Sequence, residues 1–149
     1  MKKFVLIMAV MLLLGACAAK TPAADVSDPS EVYSAMTEVT DLSEMFPMTA
    51  DDLLFMIGIE PEWYTASASY MSGEGTSPEE VIILRAADQS AADDIMEMLQ
   101  SRLQYKQDSA AQYLTENQPI LEKGIVRMDG LTVSLIVLAD IESALSVYP

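Results

Sequence analysis

Between residues 89 and 114 apolar side chains recur every three to four positions. Ile95, Leu99, Leu103, Ala110 and Leu114 form one stripe, with Met98 and Tyr113 beside it. An amphipathic helix of that length has to lay its stripe on another apolar layer, and strand patterns lie on both sides of it in the chain. Upstream, from Tyr64, the period changes to two: Tyr64, Ala66, Ala68 and Tyr70 point one way and Thr65, Ser67, Ser69 and Met71 the other, the pattern of a half-buried strand. After the loop Gly73-Glu74-Gly75-Thr76-Ser77-Pro78, the run Glu80-Val81-Ile82-Ile83-Leu84-Arg85 is continuously apolar inside its charged ends, which predicts a central strand. Downstream, Pro119 forbids continuation of the helix. Residues 125–128 and 131–138 then predict two strands joined across Asp129-Gly130, a type I′ hairpin signal. Leu131, Val133, Leu135 and Val137 fill one face, while Ile136 and Leu138 make the far end of the other face apolar. Along the long helix Asp93, Asp94 and Glu97 precede Arg102 and Lys106, the favourable order for the helix dipole.

Two shorter helices precede the strands. Asp28 is a predicted N-cap, with Pro29 at the first helical position and Glu31 in the first turn, and Val32, Tyr33, Met36 and Val39 follow at helical spacing, so residues 29–39 are expected to be helical. Residues 42–48 read as a turn-rich link containing Pro47. Thr49-Ala50-Asp51-Asp52 has the form of a capping box, Leu53, Leu54, Met56 and Ile57 supply an apolar face, and Gly58 ends the helix. Ile59-Glu60-Pro61-Glu62 is a turn, and residues 141–148 are a short terminal helix or a tail. The order α-α-β-β-α-β-β predicts an α+β fold. Its expected form is a four-stranded, mainly antiparallel sheet with a long helix between two strand pairs and short N-terminal helices, the helices packing mainly on one face.

The N-terminus reads as an export signal. Lys2 and Lys3 form a positive n-region, and residues 4–14 are uncharged and apolar. That run falls short of the ~20 residues a helix needs to cross a bilayer. Leu14-Gly15-Ala16-Cys17 follows and resembles the bacterial lipobox, which implies diacylglycerol attached to Cys17 through a thioether, with cleavage just before it. Residues 1–16 are therefore read as a lipoprotein signal peptide, 17–28 as a tether and 29–149 as a single domain. About a dozen coil residues would reach roughly 20 Å. Losing Lys2 and Lys3 deepens the formal charge from −15 to −17. Such a surface repels phosphate backbones, so nucleic acid is excluded as a partner. It repels anionic lipid headgroups too, which leaves the acyl chains to hold the domain at the membrane.

The chain has no histidine, and Cys17 is its one cysteine. Ser-His-Asp and Cys-His nucleophilic catalysis, histidine acid–base chemistry and ordinary zinc sites are thereby excluded, as is an internal disulfide. Four features carry residual chemistry. The pairs Asp51-Asp52, Glu79-Glu80 and Asp93-Asp94 could serve calcium or a glycosidase-type acid/base pair, but no stretch has EF-hand spacing, and helix starts and solvated faces are the favoured account of them. Met45-Phe46-Pro47-Met48 and Met96-Glu97-Met98 offer thioethers for Cu(I) or plain core filling. Trp63 beside Tyr64 either stacks on a ligand or closes the core edge. Arg102, close in phase to the apolar stripe, pairs with an acid across the sheet or receives an anion in a pocket.

Several segments resemble an uncharacterised lipoprotein family of Gram-positive anaerobic bacteria, defined only as a domain of unknown function. They are Val32-Tyr33-Ser34-Ala35-Met36, Gly58-Ile59-Glu60-Pro61, Glu80-Val81-Ile82-Ile83, Arg102 with Tyr113, and the Gly130 hairpin running into Leu135-Ile136-Val137. The resemblance covers about residues 29–140 and implies no activity, ligand or catalytic residue. The expected role is a membrane-anchored extracytoplasmic lipoprotein, lipidated at Cys17, acting as a non-enzymatic binding or accessory module for an unidentified ligand or protein, with no cofactor. A carboxylate-dependent glycan-active enzyme and a Ca/Cu-binding lipoprotein are the alternatives.

Overall fold

A computed structural model describes residues 28–148. The segments read as signal peptide and tether, Cys17 included, lie outside the described residues, apart from Asp28. Helix α1 (Pro29–Val39) starts at the Asp28 cap, whose side chain accepts from the Ser30 N–H. Helix α2 (Ala50–Ile57) starts with the expected reciprocal box: Asp52 N–H donates to Thr49 Oγ1 at 3.2 Å and Thr49 N–H to Asp52 Oδ2 at 2.7 Å. It ends at Gly58, whose φ of +87° is the left-handed conformation that a side chain would strain. The long helix α3 (Gln89–Tyr113) is capped by Asp88. It stops at Leu114, well before Pro119, which instead sits in the first turn of a further short helix α4 (Gln118–Glu122). Residues 141–148 resolve into α5 (Ile141–Ser146) and a short tail.

The sheet has five strands, not four: β1 (Met45–Pro47), β2 (Tyr64–Ser72), β3 (Glu80–Ala86), β4 (Ile125–Asp129) and β5 (Thr132–Val137), in the order β1-β2-β3-β5-β4, every pair antiparallel. The added strand is β1, in the stretch expected to be a link. It pairs Met45, Phe46 and Pro47 with Ser72, Met71 and Tyr70. Pro47 is tolerated because β1 is an edge. Met48 N–H, one residue on, donates to Ser69 O, so the proline nitrogen faces away from the ladder.

The helices cover both faces, which corrects the expectation that they pack mainly on one. On one side, α2, α3 and α4 bring Leu53, Ile95, Leu99 and Leu121 against Ile82, Leu84, Val133, Leu135 and Val137. On the other, α1 and α5 bring Val32, Met36, Ile141 and Ala144 against Val81, Ile83, Ile136 and Leu138. This is why β3 reads as an unbroken apolar run: alternate residues enter different cores, and Val81, Ile82, Ile83 and Leu84 are all buried.

Two further expectations change. A bulge between Tyr64 and Ala66 shifts the alternation of β2, so Tyr64 joins Met71 against the α3-side core and parts from Tyr70. The β4–β5 turn is Gly130-Leu131, with Asp129 paired to Thr132. Among the described residues only glycines have positive φ, and Gly130 is at +59°. One such residue, at the first turn position, fits a II′ turn rather than I′. Leu131 is consequently exposed at the tip instead of filling a face.

On the α1 side the Tyr33 ring stacks on Tyr70, centroids 3.7 Å apart and planes 4° from parallel. Burial, with Tyr70 adding to it, raises the Tyr33 pKa from 10.0 to about 12. A raised folded-state pKa means that the native state holds the proton more tightly, so its contribution is complete below pH 10 and is lost between pH 10 and about 12. Alkaline unfolding followed by circular dichroism should therefore steepen above pH 10, and Tyr33→Phe should flatten that limb. An unchanged profile in Tyr33→Phe would remove the coupling.

Candidate functional site

β3 opens on Glu80, on the same strand face as Ile82 and Leu84 and therefore directed at α3. Its side chain is fully buried. A carboxylate out of water requires cations, and α3 supplies two from successive turns, Arg102 and Lys106. Arg102 Nε donates to Oε1 at 3.0 Å and Oε2 at 2.9 Å, and Nη2 to Oε2 at 2.7 Å. Lys106 Nζ lies 3.1 Å from the same Oε2. The remaining donors tie loops to this point: Arg102 Nη1 reaches Met56 O at the end of α2 at 3.4 Å, and Lys106 Nζ donates to Pro78 O at 2.7 Å. Asn117, in the 3₁₀ turn before α4, donates to Thr76 O at 2.6 Å.

These bonds clamp the β2–β3 loop over the second half of α3. Beside the clamp is a cleft of about 240 Å³ lined by Thr76, Ser77, Lys106, Ser109, Leu114 and Leu121. The cluster holds one carboxylate and two cations, so one positive charge is in surplus at its wall. Burial pulls the Lys106 pKa down, Glu80 pulls it up, Arg102 pulls it down again, and the net direction is downward. A neighbouring depression of about 290 Å³ beside Gln107, Gln118 and Glu122 carries no cation.

Of the residues singled out in the sequence, Arg102 takes the acid-pair role. Its fork is filled by Glu80. Arg102 and Lys106 act sideways on Glu80, and α3 has no basic residue in its last turn, so the dipole ordering is not their main work. Neighbours Glu79 and Glu80 point to opposite sides of the strand: while Glu80 meets α3, Glu79 accepts from Ala139 N–H at 2.8 Å. Asp52 is held in the α2 cap, where the backbone and hydroxyl of Thr49 lower its pKa. Asp93 accepts from Gln89 Nε2 at 2.9 Å, and Asp94 and Asp51 are exposed. Met48, Met96 and Met98 pack against the α3-side core, as do Trp63 and Tyr64. Tyr113 is exposed. Among the described residues no group of three or more acids is placed to hold a metal ion, and no helix is long and apolar enough to cross a membrane.

Residues 38–138 match the family model for a domain of unknown function, DUF4358. The chain belongs to the DUF4358 family. The match takes in the whole sheet, the cation cluster and the cleft. It leaves out residues 32–36 of α1, one of the segments behind the resemblance noted above, as well as Cys17. No curated protein and no solved structure matches the DUF4358 chain. Lys106 and Asn117 were not singled out as site residues in the sequence. The available signal was phase: Arg102 and Lys106 follow Ile95 and Leu99 along the buried stripe, and a charge in that stripe calls for a buried partner.

Proposed function

We propose that this DUF4358 chain is an extracytoplasmic lipoprotein. Acyl chains on Cys17 hold it to the outer face of the cell membrane, and its α+β domain acts as a non-enzymatic binding or accessory module. The same reading places it among surface lipoproteins of Gram-positive anaerobic bacteria. The observation that carries it is the string Leu14-Gly15-Ala16-Cys17, set after a lysine pair and an apolar run of signal length. Two acyl chains make a stable anchor where one is marginal, and a diacylglyceryl cysteine supplies two. The acidic surface cannot substitute for them, since it is repelled by anionic headgroups. Against a glycosidase-type pair, Glu79 and Glu80 face opposite ways, Asp52 is spent on a cap, and Asp93 is engaged by Gln89.

The expected result is that Cys17→Ser, expressed as the full chain in a Gram-positive host, moves from the membrane pellet to the soluble fraction and fails to incorporate labelled fatty acid. Retention in the pellet equal to that of the parent would overturn the anchor.

A further inference from the structure

We infer that the cleft beneath the β2–β3 loop binds a small monocarboxylate carrying a short apolar group, its carboxylate received by Lys106. The inference names a ligand class for the binding module proposed above and rests on that reading. Release from the membrane in Cys17→Ser reports on the anchor alone, and ligand titration reports on the cleft alone, so the two can fail separately.

Charge is the first argument. Arg102 already satisfies Glu80 through both carboxylate oxygens. Lys106 shares one of those oxygens at 3.1 Å and turns a second N–H to Pro78 O at 2.7 Å. An ammonium has three N–H groups, and the third has no protein partner among the described residues. The side chain is only 21% exposed, so solvent compensates it incompletely. Burial first, and Arg102 after it, pull the Lys106 pKa down against the opposing effect of Glu80, and an arriving anion would favour the charged ammonium.

Shape and lining are the second argument. Leu114, Leu121 and Ala110 give the cleft apolar walls, and Thr76, Ser77 and Ser109 are the small polar residues of its lining. Its volume of about 240 Å³ lies below the ~300 Å³ at which sites for drug-sized ligands begin. One surplus charge suits a monoanion better than a phosphate dianion. The apolar walls favour a ligand with a hydrocarbon end over a bare inorganic ion, and the local surplus of positive charge disfavours a metal cation.

The test is a nuclear magnetic resonance titration of the full chain in an uncharged maltoside detergent with sodium butyrate, n-butanol, inorganic phosphate and sodium chloride. Butyrate is expected to shift the Lys106, Ser109 and Asn117 resonances saturably. Butanol and phosphate should bind at least tenfold more weakly, and chloride should have no effect. Lys106→Gln should weaken butyrate binding at least tenfold. Ser109→Leu leaves the Glu80 cluster intact and fills the cleft, so it should abolish binding even if Lys106→Gln proves poorly folded. The assignment is overturned by non-saturable shifts, by equal response to phosphate or chloride, or by butyrate binding that survives Ser109→Leu.

Discussion

Replacing Glu80 by glutamine should lower the unfolding free energy by about 3–5 kcal/mol, the range for removing one partner from a buried ion pair. Glutamine keeps the shape of the side chain and removes its charge, leaving Arg102 and Lys106 one turn apart with nothing between them but their mutual repulsion. The loss also reaches beyond the pair. Arg102 links to the end of α2 through Met56 O, and Lys106 holds the β2–β3 loop through Pro78 O, so both attachments should loosen together. Urea unfolding gives the magnitude, and amide exchange at residues 73–79 and 56–58 gives the reach. Replacing all three groups at once, Glu80→Leu with Arg102→Met and Lys106→Leu, should recover most of the loss, because an apolar cluster needs no compensation. A cost under 1 kcal/mol for Glu80→Gln would mean that water already serves the carboxylate and that the cluster is not the buried clamp described here.

Met36→Ala should cost about 2–5 kcal/mol, the range for truncating a fully buried methionine. Met36 is 0% exposed in a core distinct from the one under α3, and its neighbours there include Val81, Ile83 and Ile136. The size of the effect therefore measures how far the second face of the sheet depends on α1. If α1 were a loosely attached leader, the alanine would cost a few tenths of a kcal/mol, within the range of surface substitutions. Thermal unfolding of the two variants should also show a single transition each, since β3 belongs to both cores and neither can melt while leaving the other its central strand.

Much of the fold was legible in the sequence because its signals are local. Asp28-Pro29 marked the start of α1, Thr49 and Asp52 the start of α2 and Gly58 its end. Each of these depends on groups within a few residues along the chain. The stripe from Ile95 to Leu114 located α3, and the runs starting at 64, 80, 125 and 131 located four strands, because side-chain period follows directly from backbone geometry. β1 was missed for the converse reason. Three edge residues ending in Pro47 have no readable period, and what makes them a strand is the ladder to Tyr70, Met71 and Ser72, some 25 residues away in the chain. The bulge before Ala66 was hidden likewise, since it depends on how β2 registers against β3.

Sequence alone determined the α+β class, the start of α1, both ends of α2 and the chemistry withheld from a chain with no histidine. Local conformational preference and composition settle such things before any long-range contact forms. Tertiary structure alone decided that both faces of the sheet are covered, and that Glu80, Arg102 and Lys106 meet. A hydrophobic period shows that a face is buried without showing against what. A buried charge likewise requires a partner, but which partner it meets depends on how strand and helix pack, and these residues stand more than twenty positions apart.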